Sequence, residues 1–187
     1  EVITTLIDKF KYPKYGPGMM WESAQEKLEK KGHKIIFKAK VTKIEKVDSG
    51  YIVTVNNSDT YHCEYILSSM PLAHLPKTIN PVPEDKVLEA GNSLGFRDFL
   101  SVALITESEH AFPDNWIYIH EPNVEVGRVQ NYGSWSPFMV KDGKTCLGLE
   151  YFVNEGDNLW DMRDEDLIEF AINEIVELGL VPKEALG

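Results

Sequence analysis

The chain has 187 residues, 43% of them hydrophobic and 26% charged, which is the composition of a folded globular protein. That excludes a collagen, a disordered tail or a disulfide-knotted peptide, and no apolar run reaches the ~18–20 residues of a membrane-spanning helix. A net charge of -11 argues against duplex DNA and anionic membranes as partners, because both repel an acidic surface.

The charge is unevenly spread. Residues 1–90 hold 13 Lys, no Arg and 12 acids, whereas residues 91–187 hold 3 Lys, 3 Arg and 18 acids. The break near Gly91 is consistent with two structural units, or with acids gathered on the solvent face of a C-terminal helix. The first residues, through Lys14, lack the basic start and apolar centre of a signal peptide, and the absence of an initial Met suggests a piece of a longer chain.

In chain order, residues 19–31 read as a helix, with Met20, Ala24 and Leu28 spaced by four, Lys30 and Lys31 at its C-terminal end and Gly32 as its left-handed cap. Ile35, Phe37, Ala39 and Val41 alternate like a half-buried strand, and the alternation slips near Thr42, where a bulge is expected. Asp48-Ser49-Gly50 and Asn56–Asp59 read as turns joining Tyr51–Val55 and Thr60–Cys63 into an antiparallel meander. The apolar run Tyr65-Ile66-Leu67, closed by Pro71, reads as a buried strand ending at a site. Pro76, Pro81 and Pro83 punctuate the connection that follows. Beyond it, residues 99–106, 116–120, 127–130 and 146–153 read as strands of a mainly antiparallel sheet. Residues 164–178 read as a helix capped by Asp164, with Leu167, Phe170, Ala171, Ile175 and Leu178 as its apolar stripe and Gly179 at its end.

Familiar chemical motifs are missing. No GxGxxG or GxxxxGK[ST] turn and no GxSxG elbow occurs, and His33, His62, His74, His110 and His120 never fall at metal-ligand spacing, so no metal site is expected. Cys63 and Cys146 lack a CxxC spacing and read as free thiols of a reducing, cytoplasmic compartment, with a single bridge left open. The sequon Asn56-Asn57-Ser58 falls in an expected turn.

Three segments stand out. Tyr12 to Glu22 brings glycines to a helix N-terminus, where backbone can approach an anionic ligand; its plainer reading is a tight loop with Trp21 in the core. Gly127 to Pro137 opens with Arg128, one of three arginines, followed by amides, hydroxyls and aromatics that suit a phosphate or a sugar; a surface arginine at a strand end is the alternative. Tyr65 to Leu75 places a strand end against a proline turn, where open sheets hold ligands.

Together and in this order, YPKYGPGMMWE (12–22), GHKIIFKAKVTKI (32–44), the meander and YILSSMPLAHL (65–75) resemble the middle of a flavoprotein with two dinucleotide-binding domains. That superfamily holds amine oxidases, protoporphyrinogen oxidase, carotenoid desaturases and UDP-galactopyranose mutase. GRVQNYGSWSP (127–137) and CLGLEYFVNEGDNLWDM (146–162) are most similar to its mutase-related branch.

The resemblance implies an α+β chain. In it, a helix, a meander and a return strand over residues 1–88 complete an FAD domain, and residues 89–187 form part of a substrate-binding domain. It also implies a full-length enzyme of over twice this size, with the glycine fingerprint before Glu1 and a flavin-covering segment after Gly187. FAD would lie near Gly16, Gly18, Met19, Val41, Met70 and Pro71, and a small-molecule substrate, a nucleotide sugar, near Arg128, Asn131 and Trp135. No catalytic residue is assigned, and the mobile substrate-gripping region of mutases has no counterpart. The chain alone is expected to be inactive and not to retain FAD. An amine-oxidase-like or desaturase-like oxidoreductase and a non-catalytic binding domain stay open as alternatives.

Overall fold

A computed structural model describes residues 10–186, and the chain divides into two compact units, His33–Phe96 and the residues on either side of it. The class is α+β. One sheet is mixed, the other wholly antiparallel.

The helix α1 (Gly18–Lys30) matches the expected one and ends at Gly32, whose φ of 84° only glycine takes cheaply. None of its residues is buried, and Trp21, expected in the core, is 68% exposed.

In the His33–Phe96 unit, β1 (Val41–Val47), β2 (Gly50–Val55) and β3 (Asp59–Cys63) form the expected meander. The register slips between Val41 and Lys43, where the broken alternation places a bulge. Two readings fail here. Residues 35–40 are not a strand: Lys38 is left-handed, and the backbone there is held by Asn56. The Asn56 side chain accepts from the Lys40 amide (3.0 Å) and donates to the Lys38 carbonyl (3.1 Å), so these groups need no neighbouring strand. Residues 64–70 are irregular too, with Tyr65 82% and Leu67 98% exposed.

The chain returns to this sheet later. After α2 (Leu75–Thr78), β4 (Ile79–Asn80) pairs in parallel with Ile44 and Glu45 at the edge of β1. Then α3 (Asp85–Ser93) closes the unit. Its small core is centred on Ile44 and Val55.

The second sheet follows the sequence closely. Its strands are β5 (Asp98–Glu107), β6 (Trp116–Tyr118), β7 (Arg128–Asn131) and β8 (Lys144–Val153), in the order β5-β8-β7-β6. A one-turn helix α4 (Tyr132–Trp135) follows β7, and α5 (Asp164–Glu177) follows β8. Alternation sorts the side chains by face. Val102, Leu104, Val129, Leu147, Leu149, Tyr151 and Val153 form the core with Ala171 and Ile175 of α5. Asp164 does not cap α5; the cap position is Arg163, whose guanidinium grips Asp166 through two bonds of 2.8 Å.

Glu174 is the buried charge of α5. Its carboxylate accepts from the Glu125 and Val126 amides, fixing the helix to the chain that enters β7. The Tyr151 phenol is pushed well above its usual pKa by burial and by Glu174. Glu174→Ala strips both amides of their acceptor and is expected to cost about 1.5–3 kcal/mol. Urea unfolding checks this; an unchanged midpoint would remove Glu174 from the framework.

Candidate functional site

One face of the antiparallel sheet packs on α5, and the other carries the unusual chemistry. Cross-strand register sets two rows on that open face: Ser101, Glu150, Arg128, Tyr118, and beside it Ala103, Gly148, Gln130, Trp116. Glu150 lies mid-strand in the central strand, and its side chain is 3% exposed.

A carboxylate so placed must be met by donors. Arg128 Nε pairs with one oxygen, Gln130 Nε2 donates to the other, and the Gln130 carbonyl accepts from Trp135 Nε1 at 3.1 Å. Glu150 holds the Arg128 pKa above its ordinary value, and the guanidinium lies 5.7 Å from the Tyr118 ring. The Trp135 indole stacks on Trp116 with centroids 5.2 Å apart and planes 10° apart, and Tyr12 and Phe10 extend the aromatic cluster at 4.9 and 5.6 Å. Tyr132 lies across Gly148, and burial raises its phenol pKa, as it does that of the Cys146 thiol.

The expected residues divide by location. Arg128 and Trp135 belong to this cluster. Asn131 sits behind it with its amide spent: it donates to the Phe112 carbonyl (2.6 Å) and Ser134 Oγ (2.9 Å), and accepts from Gly133 N (3.1 Å) and Thr145 Oγ1 (2.7 Å). It shapes the loop that carries Trp135. Gly16 is buried with φ 94°, which calls for glycine, whereas an added Cβ at Gly18 would meet nothing within 4 Å. Met19 Sδ accepts from Tyr15 N at 3.1 Å, and Ser136 Oγ donates to the Lys14 carbonyl at 2.6 Å, anchoring this loop to the segment after α4.

Val41, Met70 and Pro71 fall in the other unit. Val41 and Met70 line a depression of about 640 Å³ together with Ile44, Ile66, Ser68 and His74; Pro71 does not. Its lining is mixed, with Lys40, Ser69, Lys77 and Thr78 also present, and its volume lies in the ~300 to 1,000 Å³ range of small-molecule pockets. Glu150 and Trp116 were not legible as site residues, because only the strand register brings them to Arg128 and Gln130; Gln130 and Tyr132 lay within the Gly127 to Pro137 segment without being singled out in it. The one sequence signal was an acid in the apolar run LGLEYFV. Cys63 and Cys146 are free thiols, and among the described residues no group of side chains could hold a metal. Nor is any described helix long and apolar enough to cross a membrane.

The family model for flavin containing amine oxidoreductases matches residues 9–185. Among solved structures, a reduced UDP-galactopyranose mutase matches 91% of this chain with a TM-score of 0.77 at 18% identity. An oxidoreductase from Methanosarcina mazei matches 91% with 0.69 at 14%, and a putrescine oxidase bound to putrescine matches 90% with 0.66 at 14%. These likenesses establish the fold. The chain spans 37%, 40% and 36% of those three chains. None of the curated protein sequences matches it.

An added Cβ at Gly148 would lie 2.6 Å from the Tyr132 hydroxyl and 2.9 Å from its ring. Gly148→Ala is therefore expected to displace Tyr132 at a cost of about 1–3 kcal/mol. Combined with Tyr132→Ser it should cost less than the sum of the two single changes, as read by denaturant unfolding. Strict additivity would show that the ring does not rest on the glycine.

Proposed function

The chain belongs to the flavin containing amine oxidoreductase family, and we propose on that premise that the full-length protein is an FAD-dependent enzyme related to UDP-galactopyranose mutase. In this reading residues 1–88 complete an FAD-binding domain, and residues 89–187 belong to a substrate-binding domain. The open sheet face is its substrate side. The observation that carries this is the cluster of Arg128, Gln130, Trp135 and Trp116, polar donors beside stacked indoles on a face that otherwise shows Phe99, Ile105 and Phe152 to solvent.

The terminal amino groups of Arg128 would meet an oxyanion of a nucleotide sugar, and the Trp116–Trp135 pair would offer a flat apolar wall to its ring. Asn131 would act by holding the Trp135 loop. Val41, Met70 and Pro71, with Gly16, Gly18 and Met19, would meet the FAD. When bound, the flavin supplies electron-pair chemistry, accepting hydride in an oxidase or attacking an anomeric carbon in a mutase. The free thiols fit a cytoplasmic setting.

One observation favours a second reading, an oxidoreductase acting on an uncharged or singly charged small molecule. Arg128 is already matched by Glu150, so the site offers a diphosphate little net positive charge.

Titration of the full-length protein with UDP and a UDP-sugar separates the two. Under the nucleotide-sugar reading, Arg128→Lys keeps the charge, loses the planar fork and weakens UDP binding by about 1–3 kcal/mol. Equal affinities would remove Arg128 from the site. No UDP binding to the wild type, together with amine-driven bleaching of the flavin absorbance, would decide for the oxidoreductase. The isolated chain is expected to purify colourless, and stoichiometric flavin in it would overturn the view that the pyrophosphate turn lies outside it.

A further inference from the structure

On the open face Gln130 joins the Arg128–Glu150 pair to the Trp116–Trp135 stack through hydrogen bonds. Its carboxamide cannot be reversed without loss. An indole N–H only donates and a carboxylate only accepts, so the Gln130 oxygen must face Trp135 and its nitrogen must face Glu150. Each contact fixes something beyond itself. The bond to Trp135 sets the rotation of an indole stacked on Trp116, the cross-strand partner of Gln130. The bond to Glu150 takes up one carboxylate oxygen and leaves the other for Arg128 Nε, which sets the direction of the guanidinium.

We propose that Gln130 is a positioning residue, one that makes the Arg128 guanidinium and the Trp116–Trp135 pair a single rigid unit for ligand recognition. The inference rests on the reading of the open face as the substrate side. Its signature is energetic coupling: Arg128 and Trp135 have no hydrogen bond to each other, yet a ligand should sense them non-additively as long as Gln130 links them.

The test is a mutant cycle in the full-length protein, with UDP as the probe. Arg128→Lys and Trp135→Phe are combined in the wild-type background and again with Gln130→Leu. The expected result is non-additivity of about three- to tenfold in the dissociation constant with Gln130 present, falling within about twofold of additivity in Gln130→Leu. A residue that merely stabilised the sheet would lower affinity without changing the coupling, so equal coupling in both backgrounds overturns the proposal.

A second measurement stands apart from UDP. Stacked indoles give an exciton couplet in far-ultraviolet circular dichroism, absent from Trp116→Phe. Loss of the couplet in a cooperatively folded Gln130→Leu protein supports the positioning role, and its full retention overturns it. Should UDP not bind the wild type, the nucleotide reading fails, and the couplet alone decides the role of Gln130. If Gln130→Leu does not fold, Gln130→Glu takes its place: protonated at low pH it restores both bonds, so a couplet that returns on acidification supports the proposal, and one insensitive to pH overturns it.

Discussion

The architecture turns on a carboxylate inside a sheet. β8 is covered on both sides: Leu147, Leu149 and Tyr151 enter the core, while Gly148 and Glu150 lie beneath the side chains of the open face. An isolated charge there would cost several kcal/mol, and the neighbouring strands are organised to avoid it. Register brings Arg128 opposite Glu150 and Gln130 one step along β7, so both oxygens are met without water. Slipping β7 by one residue would turn both donors into the core and Val129 out to solvent. The pairing therefore specifies the register, and the register builds the candidate site.

Legibility followed the source of each signal. The strands of the antiparallel sheet and α5 were readable because one face is apolar and the period is clear, so propensity and burial agree. The meander was readable from its turns, including the bulge at Thr42. Ile35–Lys40 misled because alternating residues look like a strand whether or not a partner exists, and here Asn56 satisfies the backbone that a partner would have held. Tyr65–Leu67 misled because a short apolar run looks like a buried strand, whereas Tyr65 and Leu67 are exposed here and the edge strand of this sheet, Ile79–Asn80, is too short to stand out. At the site, Arg128 and Trp135 were visible as rare residue types. Glu150 was not, and Gln130 was only one amide in a marked segment, since their importance lies in a cross-strand relation that a single chain read in order does not display.

The two sites ask different things of the protein. The depression at Val41 and Met70 mixes apolar side chains with Lys40, Ser68, His74 and Lys77, none of which is tied into a hydrogen-bond chain like that of Glu150. The open face instead relies on a hydrogen-bond chain in which each group has one acceptable partner type.

Three glycines of the larger unit lie under roofs. Gly127 sits beneath Phe152, Gly133 beneath Thr145 and Gly148 beneath Tyr132. In each case an absent side chain and a present one share the same volume, so the two positions form one packing unit. A single larger residue at such a glycine has to displace its roof, so single-site changes there are expected to register mainly as loss. Simultaneous randomisation of glycine and roof reaches a different set of solutions, in which the bulk crosses from one member of the pair to the other. For directed evolution of this scaffold, these pairs, and not the individual positions, are the natural unit of variation.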